Sequence, residues 1–72
     1  MSRKQKRHST VRIGKGFSFR FHRGTYRLRV YDRTKTPKEK TISLNTDEYA
    51  LASIRATEYF QRYVANQWDP WD

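Results

Sequence analysis

A three-stranded antiparallel sheet packed on one C-terminal helix, an α+β domain of β-β-β-α order behind a disordered basic arm, is the fold class this 72-residue sequence predicts. Three observations predict it. Apolar residues alternate with polar ones from Phe17 to Val30, as half-buried strands require. From Ala50 onward they return at three- and four-residue intervals, as an amphipathic helix requires. The first dozen residues carry several cations and almost no apolar side chain, so they cannot bury enough surface to order themselves.

The elements follow in order. Residues 1–13 read as a flexible basic arm, and Gly14-Lys15-Gly16 as a turn into structure. This Gly-x-Gly has no third glycine and no preceding strand, so it is not read as a nucleotide-binding fingerprint. Phe17, Phe19 and Phe21 alternate with Ser18, Arg20 and His22 in the first predicted strand. Arg23-Gly24 is a tight turn in which glycine supplies the positive φ. Tyr26, Leu28 and Val30 alternate with Arg27, Arg29 and Tyr31 in the second strand. Asp32 to Lys38, with Pro37, reads as a longer mobile loop, and Thr41–Leu44 as a short third strand with Ile42 and Leu44 on one face.

A helix is expected from Asn45-Thr46 onward. Asn45 and Glu48 have capping-box spacing, and Asp47 and Glu48 suit the positive end of the helix dipole. Its predicted apolar face is Ala50, Ile54, Thr57, Phe60, Val64 and Trp68, widened by Tyr59 and Tyr63. Pro70 cannot continue a helix, so the end is expected between Ala65 and Gln67. The expected division is thus an arm over 1–13, a domain over 14–67, and a tail or start of a linker over 68–72.

Composition restricts function. Sixteen Lys and Arg against seven Asp and Glu give a net charge of +9, and no cysteine is present. Residues 1–40 carry fourteen of the cations and only Asp32 and Glu39 as acids, a balance of +12, while residues 41–72 carry −3. Such segregation is the electrostatic footprint of a polyanion binder, because neutralised phosphates release condensed counterions. Absent cysteines remove disulfides, thiolate nucleophiles and most structural zinc sites. No apolar run is long enough to span a bilayer, and no apolar stretch follows the basic N-terminus as in a secretory signal. One small domain leaves no room for a large catalytic cleft. His8 and His22 lack partners at ligand spacing, so no metal or other cofactor is expected. Asp32 and Glu39 read as local charge balance and not as a nuclease pair. No catalytic residue is assigned.

One helix can cover only one face of a sheet. The phenylalanines, Tyr26, Leu28, Val30, Ile42 and Leu44 belong on that side. Arg20, His22, Arg27, Arg29 and Tyr31 then point the other way, on a ribbon of a size that fits a DNA major groove. Arg3, Lys4, Lys6 and Arg7 of the arm are placed to track phosphates or enter a minor groove. Lys40, at the approach to the third strand, joins the candidate set. Trp68-Asp-Pro-Trp71 reads first as an aromatic cap on the open edge of a small core, and otherwise as a partner-docking motif.

Gly24-Thr-Tyr-Arg-Leu-Arg-Val-Tyr-Asp32, then Lys40-Thr-Ile-Ser-Leu-Asn-Thr46 and the Asp47-Glu48-Tyr49-Ala50 helix opening carry a resemblance. Over roughly residues 14–66 the chain resembles the N-terminal arm-type DNA-binding domain of phage and conjugative-element integrases, of the tyrosine recombinase family. A plant three-strand-plus-helix transcription-factor domain looks similar over the same span. The integrase resemblance implies non-catalytic binding to arm-type sites on double-stranded DNA, through the sheet's open face in the major groove. It maps that role onto Arg20, Arg27, Arg29, Tyr31 and Ser43. It further implies other integrase protomers and DNA-bending accessory proteins as partners, no membrane, and a bacterial cytoplasmic location at the nucleoid. Catalysis in that family belongs to a separate larger domain, so the chain is expected to be a fragment of a longer recombinase. Two other readings compete: an RNA-binding module that stacks unpaired bases on exposed aromatics, and a protein-interaction module built on Trp68 and Trp71.

Overall fold

A computed structural model describes residues 10–72. Four strands, not three, form one antiparallel sheet in the order β1-β2-β3-β4, from Val11–Gly14, Phe17–His22, Thr25–Tyr31 and Glu39–Ser43. One helix follows, α1, at Tyr49–Val64. The extra strand corrects the arm boundary, since Val11–Ile13 belong to the sheet. Val11 pairs with Phe19 and Arg12 with Ser18, and a register shift before Gly14 brings that residue opposite Phe17. Val11 and Ile13 pack against the core. This alternation is too short to stand out from a basic context, and the strand gains its stability from its neighbour. Gly14 lies against the Phe60 ring, where an added Cβ would collide with the aromatic carbons. The helix therefore approaches this corner of the sheet only because Gly14 has no side chain.

The central hairpin matches expectation. Phe17 pairs with Val30, Phe19 with Leu28, Phe21 with Tyr26 and His22 with Thr25. Both turn residues lie in the left-handed region, Arg23 at φ 51° and Gly24 at φ 83°. Two such residues in a two-residue connection follow the right-handed twist of the strands. Glycine adopts this conformation without strain; arginine does not.

The core is Phe17, Phe19, Tyr26, Leu28, Val30, Leu44, Ala52 and Ala56. All three phenylalanines of β2 point toward the helix. Phe17 meets Phe60 and Tyr63 with ring centroids 5.0 and 5.1 Å apart. Tyr49 closes on Phe19 at 5.7 Å. Each fully buried side chain of this size is worth about 1.5–3 kcal/mol, and a short chain needs such a core.

The helix buries only part of the face its periodicity predicts: Tyr59, Phe60, Tyr63 and Trp68 pack against the core as expected. Ala52 and Ala56 lie at the interface with Tyr59, Phe60 and Tyr63, whereas Ile54 and Val64 remain 57% and 64% exposed and Ala50 is exposed too. The cause is volume. A sheet face already filled by phenylalanine and tyrosine accepts only alanine where the helix axis comes closest, and aromatic side chains fill the wider space beyond.

The helix also starts later. The Tyr26 N–H donates to the Thr46 carbonyl at 2.8 Å and the Leu44 N–H to the Tyr26 carbonyl at 2.9 Å, so the chain stays tied to β3 beyond the end of β4. Asn45 turns at φ 55°. The expected Asn45–Glu48 capping box does not form: Glu48 occupies the cap position without a side-chain bond, and its N–H donates to Thr46 Oγ1. Arg55 donates instead to the Leu44 and Asn45 carbonyls at 2.7 and 3.1 Å, tying helix to turn. The end of α1 is where Pro70 implied. Asn66 takes φ 61°, the Gln67 N–H reaches the Arg62 carbonyl and the Asn66 N–H reaches that of Tyr63, a Schellman closure.

The loop expected to be mobile is laced together. Asp32 Oδ1 accepts from the Thr34 N–H and hydroxyl at 2.9 and 2.7 Å. These bonds, with Lys35 and Lys15 nearby, hold the Asp32 carboxyl below its ordinary pKa. Trp71 Nε1 donates to the Pro37 carbonyl, and both Trp68 and Trp71 pack against the core. The C-terminal aromatics thus cap the core edge.

Candidate nucleic-acid interface

Strand register decides which side chains share the uncovered face. Ser18 lies opposite Arg29 and Arg20 opposite Arg27. Arg27 continues to Ser43, Arg29 to Thr41 and Tyr31 to Glu39. With Arg12 beside Ser18, these residues and His22 stand on the face away from α1. The sequence-predicted Arg20, His22, Arg27, Arg29, Tyr31 and Ser43 are brought together here. Arg20, His22, Arg27, Arg29, Glu39 and Thr41 line one shallow depression.

Lys40 is not brought to this face. It pairs with Val30 and has the same parity as Ile42, which places it on the helix side of the sheet. Strand alternation contained that information, since Lys40 is two residues from Ile42. Arg3, Lys4, Lys6 and Arg7 of the predicted arm lie outside the described residues. Ser43 faces outward, but its hydroxyl is engaged: it accepts from the Asn45 N–H at 3.1 Å and donates to Asn45 Oδ1 at 3.3 Å.

The arginines differ in their surroundings. Arg29 Nε meets Glu39 Oε2 at 2.8 Å, with both side chains about half exposed. Glu39 is the one acid on this face among the described residues, and its reading as charge balance becomes a specific ion pair. Arg27 has no such partner, and its Nε is shut off from solvent without an acceptor. Arg20 and Arg27 are direct cross-strand neighbours of like charge, which costs stability. His22 sits by them with its pKa lowered, by partial desolvation first and then by the charges of Arg20, Arg23 and Arg27. Two of the contributing residues, Arg12 and Arg23, were not singled out from sequence. The Val11-Arg12-Ile13 alternation was the available signal for the first.

Aromatic exposure on this face is confined to Tyr31, which is 48% exposed. A second hollow, between Lys35, Tyr63, Trp68, Asp69 and Asp72, carries mixed charge and lies at the C-terminal end of the helix. Among the described residues there is no cluster of His, Cys, Asp and Glu able to hold a metal ion, and no helix is long and apolar enough to cross a membrane. No family model, curated protein or solved structure matches the chain.

Proposed function

We propose that this domain binds double-stranded DNA, laying the open face of β2, β3 and β4 into the major groove. The observation that carries the reading is the register: Arg20, Arg27 and Arg29 lie side by side on a face that no helix covers. The spacing of a two-stranded ribbon suits the groove, and guanidinium groups grip phosphates or contact guanine bidentately. The integrase resemblance supports arm-type sites of a site-specific recombinase as the target, with the domain itself non-catalytic. Other protomers and DNA-bending proteins would then share the assembly.

The Arg29–Glu39 pair bears on selectivity. In the free protein Glu39 neutralises part of Arg29 and repels phosphate, so indiscriminate binding is held down. In a groove, Arg29 is free to donate to guanine, and Glu39 finds a partner only where a base presents an amino group, as cytosine does. The competing readings are weaker on this geometry. Stacking of unpaired RNA bases calls for several exposed aromatics, and the three phenylalanines of β2 all face the helix. Docking through Trp68 and Trp71 calls for free indoles, and both are packed.

The test is salt dependence of binding to a short duplex. The logarithm of affinity should fall against the logarithm of salt with a slope of about −5 if roughly six phosphates are neutralised. A flat dependence defeats the reading.

A further inference from the structure

We propose that Arg20 and Arg27, with His22 beside them, form a clamp for a single phosphate-type oxyanion, distinct from the base-reading pair Arg29–Glu39. The assignment rests on the DNA-binding reading and divides its face into two parts with different work. Three features of geometry support it. The two guanidinium-bearing residues are directly opposed across β2 and β3, at about 5 Å between Cβ atoms for such neighbours. Among the described residues neither has an ion pair of its own: Glu39 lines the same depression, but its carboxylate is bonded to Arg29. Arg27 Nε has no acceptor in the free protein.

An opposed arginine pair with an unmet donor is unfavourable by itself. An anion between the two side chains removes both penalties. The Nε and Nη edge of a guanidinium is the edge that holds a phosphate oxygen pair bidentately; Arg27 Nε is shut off from solvent in the free protein, so binding through this edge requires its side chain to turn outward. His22, at the turn end of β2, faces Arg20 on its own strand, Arg23 in the turn and Arg27 on β3, with Thr25 opposite it. Partial desolvation first, and then these cations, keep its ring neutral to lower pH than usual, while Arg29 and Glu39 line the same depression. An oxyanion among them would reverse the sign of the local field, so His22 gains a proton on binding and serves as the reporter.

The experiment follows the His22 ring protons of the full chain through a pH titration, in sodium sulfate and in sodium chloride at matched ionic strength. Sulfate is the oxyanion probe because it does not titrate in this range. It should raise the His22 midpoint relative to chloride in the parent and in Arg62→Gln, an equal loss of charge in the last turn of α1, and leave it unmoved in Arg20→Gln and Arg27→Gln. Amide spectra establish that each variant is folded. No difference between the salts, or an equal rise in all variants, overturns the clamp. A second arm uses duplex DNA and single-stranded RNA. Arg27→Gln should reduce the log–log salt slope on duplex by about 1 and weaken all sequences alike. A parent that binds duplex, with Arg27→Gln keeping the whole slope, sinks the clamp and leaves the DNA reading standing. A sulfate response of the expected pattern with RNA preferred over duplex, or with neither bound, keeps the clamp and sinks the DNA reading.

Discussion

The two faces of the sheet are built from the same residues taken alternately, yet they obey opposite rules. Toward α1, β2 and β3 present Phe17, Phe19, Tyr26, Leu28 and Val30, all buried. Away from it, the same strands present Ser18, Arg20, Arg27 and Arg29. The covered face is settled by volume: every side chain touches others, and a lost methylene leaves a void. The open face is settled by charge: Arg20 and Arg27 are like-charged neighbours, Arg27 Nε has no acceptor, and Arg29 is paired with Glu39. The comparison teaches that the core and the proposed binding surface are separable here, because strand alternation keeps their residues from sharing a side.

That separation can be broken most severely at Leu28, which is fully buried. Leu28→Ala should cost about 2–5 kcal/mol of unfolding free energy, measured by urea denaturation, and Arg27→Gln on the neighbouring position should leave stability unchanged or raise it by up to about 1 kcal/mol, as a like-charge pair and an unmet donor are removed. Comparable losses at the two sites would mean that the arginines are structural. On the open face, Arg29→Ala should weaken binding to a preferred duplex by about 1–3 kcal/mol and flatten the difference between sequences. Equal loss on every duplex would make Arg29 a phosphate contact. Glu39→Gln should act in reverse: tighter binding to arbitrary duplexes, by up to about 1 kcal/mol as an exposed pair is released, with poorer discrimination. A variant that binds arbitrary DNA no better than the parent would remove Glu39 from the account. The smallest effect belongs to the turn that joins β2 and β3. Arg23 holds φ 51°, so Arg23→Asn should raise thermal stability by a few tenths of a kcal/mol, up to about 1. A lowered melting temperature would show that the arginine side chain earns its place in the fold.

Much of this was legible along the chain. Alternation located β2, β3 and most of β4, placed Phe17, Phe19 and Phe21 on one side, and put Arg20, Arg27 and Arg29 on the other. Arg23-Gly24 declared its turn, and Pro70 the neighbourhood of the helix end. Lys40 was legible as well, since its parity matches Ile42, but its charge drew it into the wrong group. Other features carried no local signal. Val11–Gly14 holds too few apolar residues to be a strand by itself, and becomes one by pairing with β2. The Asn45–Glu48 spacing is a sound helix start in isolation, but hydrogen bonds to Tyr26 hold the chain against β3 as far as Thr46. Arg55 then takes over the tie between turn and helix.

The amino-acid order alone determined the class of fold, the charge segregation and the side of the sheet on which each strand residue stands, because a strand's side chains alternate whatever it packs against. Only the tertiary structure decided which stripe of the helix is buried, which arginine is paired and which is left with an unmet donor. Those outcomes depend on the size and position of groups distant in sequence: aromatic bulk on β2 and β3 admits Ala52 and Ala56 but not Ile54, and the pairing of β3 with β4 brings Glu39 within 2.8 Å of Arg29 while leaving Arg27 beside Ser43.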